Sequence, residues 1–305
     1  MVAATARLSL LIYIEPVHQD QPRISPIWLV LAGILSVQFG AAVAKGLFDV
    51  VAPTTMVWLR LVSSSIVLVA MARPRLSGRS RSDWLVAVGF GLTLGAMNWG
   101  IYQSFARIPL GLAVTIEFVG PLGLAVLGSR RPRDFAWVVL AGVGVLLLGL
   151  SPGEVTWAGV AFALGAGVAW AGYIVMSART GARWPGLAGL AVASVVGTAV
   201  LAPFALVVGG SDLLDPRILL LGSLVGLLSS VVPYSLELMA LRRIRPSVFS
   251  ILMSLEPAAA ALAAAIVLRE FLTPLQLLAM ACVVAASIGA TRWSASAPIS
   301  EPAPD

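Results

Sequence analysis

Ten apolar segments divide this 305-residue chain, and almost all of its nineteen arginines fall in every second gap between them. A helix needs about 20 apolar residues to cross the hydrocarbon core of a bilayer. The segments lie near residues 27–49, 53–72, 84–105, 109–128, 135–150, 157–177, 187–208, 218–240, 247–268 and 273–291. Because each run is continuously apolar rather than alternating, it predicts a transmembrane helix and not a strand of a barrel.

The composition agrees with a chain that lies in lipid. Hydrophobic residues make up 59% of the sequence and charged residues only 11%, whereas soluble domains carry about 25% charged residues. A formal charge of +6 can indicate a nucleic-acid partner. Here the arginines flank apolar spans, so we expect the lipid bilayer as the partner and no nucleic acid.

The distribution of arginine predicts how the chain is threaded. Lys and Arg accumulate in loops on the cytoplasmic side of a membrane. Fifteen arginines lie in the N-terminal segment, in every second loop and after the last span, and three lie on the other side, at Arg107, Arg217 and Arg269. We therefore expect both termini in the cytoplasm, with residues 1–26 as an extension and residues 292–305 as a disordered tail.

The two halves of the chain repeat one pattern. Arg107 is followed after fourteen residues by Pro121, and Arg243 is followed at the same distance by Pro257. Each half contains five spans, and an odd number forces the second half to enter the membrane inverted.

This pattern predicts an all-α integral membrane protein of ten transmembrane helices. Residues 27–150 and 157–291 would form two inverted five-helix repeats, with a site near the midplane between them.

Besides Asp49, which ends the first span, the charged residues within the apolar spans are Lys45, Arg60, Glu117, Glu237 and Glu256. Each costs about 2.5–3.5 kcal/mol at mid-membrane on insertion scales. We therefore expect them to face the bundle interior or one another.

Glu117 is the first candidate for a functional carboxylate. It lies halfway along its span and four residues before Pro121, so both occupy one helix face. It would bind a proton or an ammonium group. The alternative is a structural glutamate paired with Lys45, and the sequence leaves both open.

Glu237 follows Pro233 by four residues and Tyr234 by three, which places a carboxylate, a kink and a phenol on one face. We consider it a second candidate for substrate or proton binding. For Glu256, beside Pro257, a structural role is favoured.

The remaining candidates are polar or aromatic. Asn98 and Tyr102 share a helix face, and Trp170 lies well inside its span, where it forms either a cavity wall or ordinary packing. For Lys45 and Arg60, anchoring with the head group near the outer interface is slightly favoured over substrate contact, although Lys45 stays on the candidate list.

Motifs for other chemistries are absent from the sequence. There is no GxxxxGK[ST] phosphate loop and no HExxH motif. A single histidine, His18, and a single cysteine, Cys282, give no basis for a metal site, a disulfide or a His-based triad. We expect no cofactor, no metal and no enzymatic activity.

Several stretches of the chain resemble the EamA group of the drug/metabolite transporter superfamily, and within it the bacterial threonine and homoserine exporters. They are Phe39 to Asp49, Gly95 to Gln103, Pro109 to Ala141, Ala163 to Ile174, Val232 to Ile244 and Phe249 to Ala264. The Glu-Phe-x-Gly-Pro stretch from Glu117 and the Pro-Tyr-Ser-Leu-Glu stretch from Pro233 are the more specific. One departure is Arg269-Glu270, where the family commonly has Gly-Glu.

The resemblance implies a bacterial inner-membrane exporter of small neutral amino acids, driven by proton antiport through alternating access. The substrate ammonium would bind Glu117, and the carboxylate would bind Asn98, Tyr102, Tyr234 or a half-helix N-terminus. Glu117 or Glu237 would exchange the proton.

Three prolines, Pro121, Pro233 and Pro257, are the expected kinks. The expected partners are the amino-acid substrate, protons and lipid, and a homodimer is left open. The alternatives are an exporter of other metabolites or drugs, or a membrane scaffold or enzyme that transports nothing.

Overall fold

The computed structural model describes residues 25–127, 135–149, 155–241 and 243–294. The described part of the chain is helical throughout its regular structure and contains no strand. Most of the predicted N-terminal extension and C-terminal tail lies outside the described residues, as do several of the counted arginines.

The helices follow one another with short connections. In chain order they are α1 Pro26–Lys45, α2 Pro53–Ala72, α3 Arg81–Phe105, α4 Leu110–Glu117, α5 Val119–Leu127, α6 Phe135–Gly149, α7 Trp157–Gly181, α8 Ala188–Gly209, α9 Pro216–Gly226, α10 Val232–Leu241, α11 Pro246–Met253, α12 Glu256–Val267 and α13 Pro274–Ser294. A 3₁₀ turn, Gly210–Leu214, follows α8, and a π-helical segment, Leu227–Val231, joins α9 to α10.

Among the described residues, eight segments are long and apolar enough to cross a membrane. They are Pro26–Lys45, Pro53–Ala72, Arg81–Phe105, Leu110–Leu127, Trp157–Gly181, Ala188–Leu214, Pro216–Glu237 and Val248–Val267. The spans predicted near 135–150 and 273–291 are also helical, but their described apolar stretches, Phe135–Leu148 and Pro274–Ala290, are shorter. Eight of the ten predicted spans are thus confirmed as helices of spanning length.

Local chemistry explains where several helices begin. Proline occupies the first position of α1, α2 and α9, where its missing N–H has no helical partner to lose. At α3, the Ser80 hydroxyl accepts from the Asp83 N–H while the Asp83 carboxylate accepts from the Ser80 N–H, forming a capping box.

Two spans are broken in the middle. We call α4 with α5 the first broken span and α11 with α12 the second broken span. The first breaks after Glu117 and the second after Met253. Pro121 and Pro257 lie four residues beyond these positions, and a proline has no N–H to donate to the carbonyl four residues earlier.

The helices of the two halves pack mainly across the boundary between the halves. The α3 helix packs on α7 and α8, α1 packs on α10 and α12, and α2 packs on α8 and α9. The α4 helix also packs on α12, and α6 packs on α13. The bundle interior is therefore shared by the halves.

The first broken span lies tightly against α7. A Cβ added to Gly167 would lie 2.5 Å from the Glu117 carbonyl oxygen, which is closer than real Cβ atoms approach. Gly120 faces the same part of the α7 backbone. Glycine at both positions lets the two backbones meet, as small residues do between membrane helices.

Candidate functional site

A cavity of about 600 Å³ lies in the interior of the bundle. Both halves contribute to its wall: the first half through α1 to α5, and the second through α7, the π-helical segment and α10 to α13. The lining residues whose side chains carry a polar atom are Gln38, Arg60, Asn98, Glu117, Trp170, Tyr173, Ser229, Tyr234, Glu237, Ser250, Glu256 and Ser287. Ligand pockets typically measure about 300–1,000 Å³, so a small molecule fits.

Most of the predicted site residues meet at this cavity. Glu117, Glu237, Asn98, Tyr234 and Trp170 all line it, although they come from four different spans. Among the predicted kink prolines, Pro121 also lines it, and Pro233 and Pro257 lie in the first turn of α10 and of α12.

Glu117 is the last residue of α4 and is buried. Its alternative partner, Lys45, lies elsewhere, because the Lys45 ammonium forms an ion pair with Glu270 at 2.5 Å. The pairing that would have made Glu117 a purely structural glutamate therefore does not form.

Two further carboxylates face the same cavity. Glu237 lies on α10, and Glu256 is the first residue of α12. The sequence favours a structural role for Glu256, and the structure places it on the cavity wall. The repeat in the sequence offered a signal for this position. Glu256-Pro257 in the second half is equivalent to Gly120-Pro121 in the first half, beside Glu117.

Arg60 was not among the predicted site residues, yet it lines the cavity and is only 9% exposed. Its Nη2 donates to the Ser229 carbonyl at 2.9 Å and its Nε donates to the Ser230 hydroxyl at 3.3 Å. The guanidinium carbon also lies 5.6 Å from the centre of the Tyr102 ring, within cation–π range. The sequence did offer one indication that Arg60 faces the interior, because it lies more than one turn inside α2.

Asn98 and Tyr102 lie on the same part of α3 but do different things. The Asn98 amide donates to the Leu94 carbonyl at 2.9 Å, and its side chain lines the cavity. Tyr102 is not among the lining residues. Its ring packs between Phe48 and Phe105 and lies under Arg60.

Aromatic contacts shape one wall. Trp170 meets Phe118 edge-to-face with ring centres 5.0 Å apart, and Tyr173 packs on Phe90 at 4.9 Å. Since Phe118 occupies the break of the first broken span, Trp170 holds that break from the side of α7.

Lys45 lies away from the cavity lining, at the end of the bundle where α1 finishes. Besides its ion pair with Glu270, its ammonium donates to the Ile108 carbonyl at 2.9 Å. The other Glu270 oxygen accepts from the Leu110 N–H at 2.9 Å. We call these contacts of Lys45, Glu270, Ile108 and Leu110 the latch, because they join α1, the start of α4 and the loop after α12.

No group of three or more metal-ligating side chains close enough to hold an ion occurs in the parts of the chain that the structure describes.

Comparison with known proteins places the chain in a family. Residues 157–292 match the EamA-like transporter family. The chain is 41% identical over 273 residues to the threonine/homoserine exporter RhtA of Escherichia coli K12, covering 87% of this chain and 92% of that protein. It is 42% identical to RhtA of Salmonella typhimurium SL1344 over the same shares of each chain.

More distant matches agree with this fold. The uncharacterized transporter YwfM of Bacillus subtilis is 32% identical over 181 residues, covering 58% of this chain and 60% of that protein. A crystal structure with 19% identity aligns with a TM-score of 0.58 and covers 88% of this chain and 98% of its own. With relatives that are membrane exporters rather than enzymes, this chain belongs to the EamA-like transporter family and is a multi-pass membrane transporter of a small molecule.

Proposed function

We propose that this transporter exports small neutral amino acids of the threonine and homoserine type across the bacterial inner membrane, in exchange for protons. The observation that carries the proposal is the cavity itself, where three carboxylates and one guanidinium lie among apolar side chains. The names of the RhtA relatives support the substrate class.

The chemistry of the wall suits a zwitterion. An ammonium group taken from water into an apolar cavity needs a carboxylate or carbonyl partner, and Glu117 is the first candidate. Asn98 and Tyr234 add neutral hydrogen-bonding groups. A transporter of apolar drugs would have little use for buried charges of this cost, so the polar wall favours the amino acid over the drug.

Proton exchange follows from the same carboxylates. A carboxyl group that holds a proton does not form an ion pair with an ammonium, so proton and substrate compete for one site. Glu117 and Glu237 are the candidates, because both lie on the cavity wall. Competition at one group makes transport an exchange, in which substrate leaves as a proton enters.

Alternating access would use the two halves as moving parts. In support, equivalent helices of the two halves begin and end 136 residues apart, since α4 spans 110–117 and α11 spans 246–253. The α3 and α10 helices also end at equivalent positions, Phe105 and Leu241. We propose that these are two inverted five-helix repeats and that α6 and α13 complete ten spans.

We further propose that the structure represents the state open to the cytoplasm. The arginine distribution assigns the ends of α5, α7, α10 and α13 to that side, and the lining includes Ala125, Ile174 and Ala290 near three of those ends. The latch lies at the opposite, outer end. Both termini would lie in the cytoplasm, and a homodimer stays a prediction.

Efflux from loaded cells tests the function. Cells expressing the chain should lose threonine and homoserine faster than cells with an empty vector, and an uncoupler should remove the difference. Apolar drugs should show no such effect. Equal efflux with and without the chain would contradict the proposed substrate, and efflux that ignores the uncoupler would contradict proton exchange.

A further inference from the structure

The cavity contains a cation whose described hydrogen-bond partners are all neutral. Arg60 is the one Lys or Arg side chain that lines it among the described residues, and the ion pairs described within 4 Å involve other residues. A buried charge is costly unless it is paired and hydrogen-bonded. Arg60 has hydrogen bonds and an aromatic ring beneath it, and its charge acts on the Glu117 carboxyl in the same cavity, but no described carboxylate lies within 4 Å of the guanidinium.

The guanidinium is held in a fixed direction. Its Nε and Nη2 each use one N–H, on Ser230 and on the Ser229 carbonyl, and both partners belong to the π-helical segment. A guanidinium carries five N–H groups in a rigid fork. The remaining N–H groups are thus oriented in advance for an acceptor.

Two other buried polar groups at the same wall lack partners. The Ser229 hydroxyl and the Gln38 side-chain carbonyl have no hydrogen bond, although these residues are only 1% and 2% exposed. Both residues line the cavity. Buried groups of this kind are normally satisfied by protein, water or ligand, and together with Arg60 they offer donors for an anion and an acceptor beside it.

We propose that Arg60 and Ser229 bind the α-carboxylate of the transported amino acid and that Gln38 accepts a hydrogen bond from its ammonium or hydroxyl group. This inference rests on the proposed function and refines it. Sequence analysis assigned the carboxylate to Asn98, Tyr102, Tyr234 or a half-helix N-terminus, and the structure points to Arg60 instead. The role of Tyr102 is to support the guanidinium through its ring.

The consequence is selectivity for free amino acids over amines. Arginine binds carboxylates through two parallel hydrogen bonds, which are among the stronger contacts in proteins. A substrate whose carboxylate is removed or esterified would leave Arg60 and Ser229 unsatisfied. Sites that hydrogen-bond a substrate group reject analogues without that group strongly.

The first test needs only the wild-type transporter. Binding of L-threonine, threonine methyl ester and 1-amino-2-propanol is measured by ligand-induced thermal stabilisation of the purified full chain in detergent. The ester and the amine should bind about 10- to 100-fold more weakly, the range expected for loss of hydrogen bonds to a charged group. Equal binding of all three compounds would overturn the proposal without any variant.

Two variants and a control then locate the subsite. Arg60→Lys keeps the charge but loses the fork, and should weaken threonine binding at least about 10-fold while leaving binding of 1-amino-2-propanol within about 3-fold. Ser229→Ala should weaken threonine binding by a smaller factor in the same pattern. Arg217→Gln, at an exposed arginine outside the cavity, is the control and should change neither.

The outcomes separate this inference from the proposed function. If wild type binds neither threonine nor homoserine, the proposed function fails. If wild type prefers threonine over the amine, and Arg60→Lys and Ser229→Ala keep that preference in full, the carboxylate binds elsewhere and the subsite is wrong while the function stands. If Arg60→Lys does not fold, Ser229→Ala decides. A weaker preference for threonine over the amine in that variant supports the subsite, and an unchanged preference overturns it.

Discussion

The two broken spans share a backbone and differ in where each carries its carboxylate. Both begin with an eight-residue helix, α4 or α11, and both continue past a proline in the first turn of the next helix. In the first broken span the carboxylate is Glu117, the last residue before the break. In the second it is Glu256, the first residue after the break.

This difference matters because the two ends of a helix treat a negative charge differently. Free N–H groups at a helix N-terminus stabilise an anion, and free carbonyls at a C-terminus destabilise it. Glu256 therefore lies at the helix end that favours a negative charge. Glu117 has carbonyls beside it, including its own, to which Pro121 cannot donate. We therefore expect the helix ends to favour a bound proton or ammonium more at Glu117 than at Glu256.

The largest expected difference in efflux comes from replacing each of these two carboxylates, in separate variants, by an amide. Glu117→Gln should lower threonine efflux from proteoliposomes at least about 100-fold, because it removes the ammonium partner, a loss of about 3 kcal/mol. Glu256→Gln should lower efflux less than about 10-fold, since the N-terminus of α12 lessens the need for a bound cation at that position. Equal elution profiles in size-exclusion chromatography control for folding.

The reverse order would break the comparison. If Glu256→Gln abolished efflux and Glu117→Gln left it nearly intact, the second broken span would carry the chemistry, and the argument from helix ends would be wrong.

A smaller effect is expected where α7 lies against the first break. Gly167→Ala should lower the thermal midpoint by several degrees, because its Cβ would collide with the Glu117 carbonyl and overpacking costs about 1–3 kcal/mol. Gly165→Ala is the matched control on the same helix, since its Cβ would meet nothing within 4 Å. The midpoints are measured by tryptophan fluorescence, and an equal response in both variants would mean that α7 does not constrain the break.

The smallest effect is expected at the latch, which joins the start of the first broken span to the end of the second. Glu270→Gln should lower efflux about 3- to 10-fold, because it removes the ion pair with Lys45 and weakens the bond to the Leu110 N–H. The double variant Lys45→Glu with Glu270→Lys exchanges the two charges and keeps the ion pair. It should therefore restore part of the lost efflux.

Efflux that stays low in the exchanged variant but rises when only Lys45 is neutralised would contradict this view. It would mean that Lys45 acts alone and that its ion pair has no part in closing the outer end.

Much of the architecture could be predicted from apolar length and proline position. Eight spans have helices of spanning length, and the equivalence of Pro121 and Pro257 anticipates two helices broken at equivalent positions. Depth in the membrane is a local property, since it depends on distance from the ends of an apolar run. That is why Glu117 and Glu237 were identified as candidates from the sequence.

The direction in which a side chain points was harder to predict. A helix that is apolar on all sides gives no stripe to indicate its inner face, so Arg60 could equally have reached the interface and Glu256 could equally have been structural. The Lys45–Glu270 pair joins residues from opposite halves of the chain, and no local pattern indicates such a pairing. These placements depend on how the halves pack together.

The central claim is that Glu117 exchanges protons for amino acid, and proton flux in proteoliposomes tests it most directly. Vesicles loaded with threonine and a pH-sensitive dye should acidify inside as threonine leaves, and replacing threonine with 1-amino-2-propanol should remove the signal. Glu117→Gln should abolish the acidification, and Glu256→Gln should retain most of it. Threonine efflux without acidification in the wild type, or acidification that is unchanged in Glu117→Gln, would contradict the account.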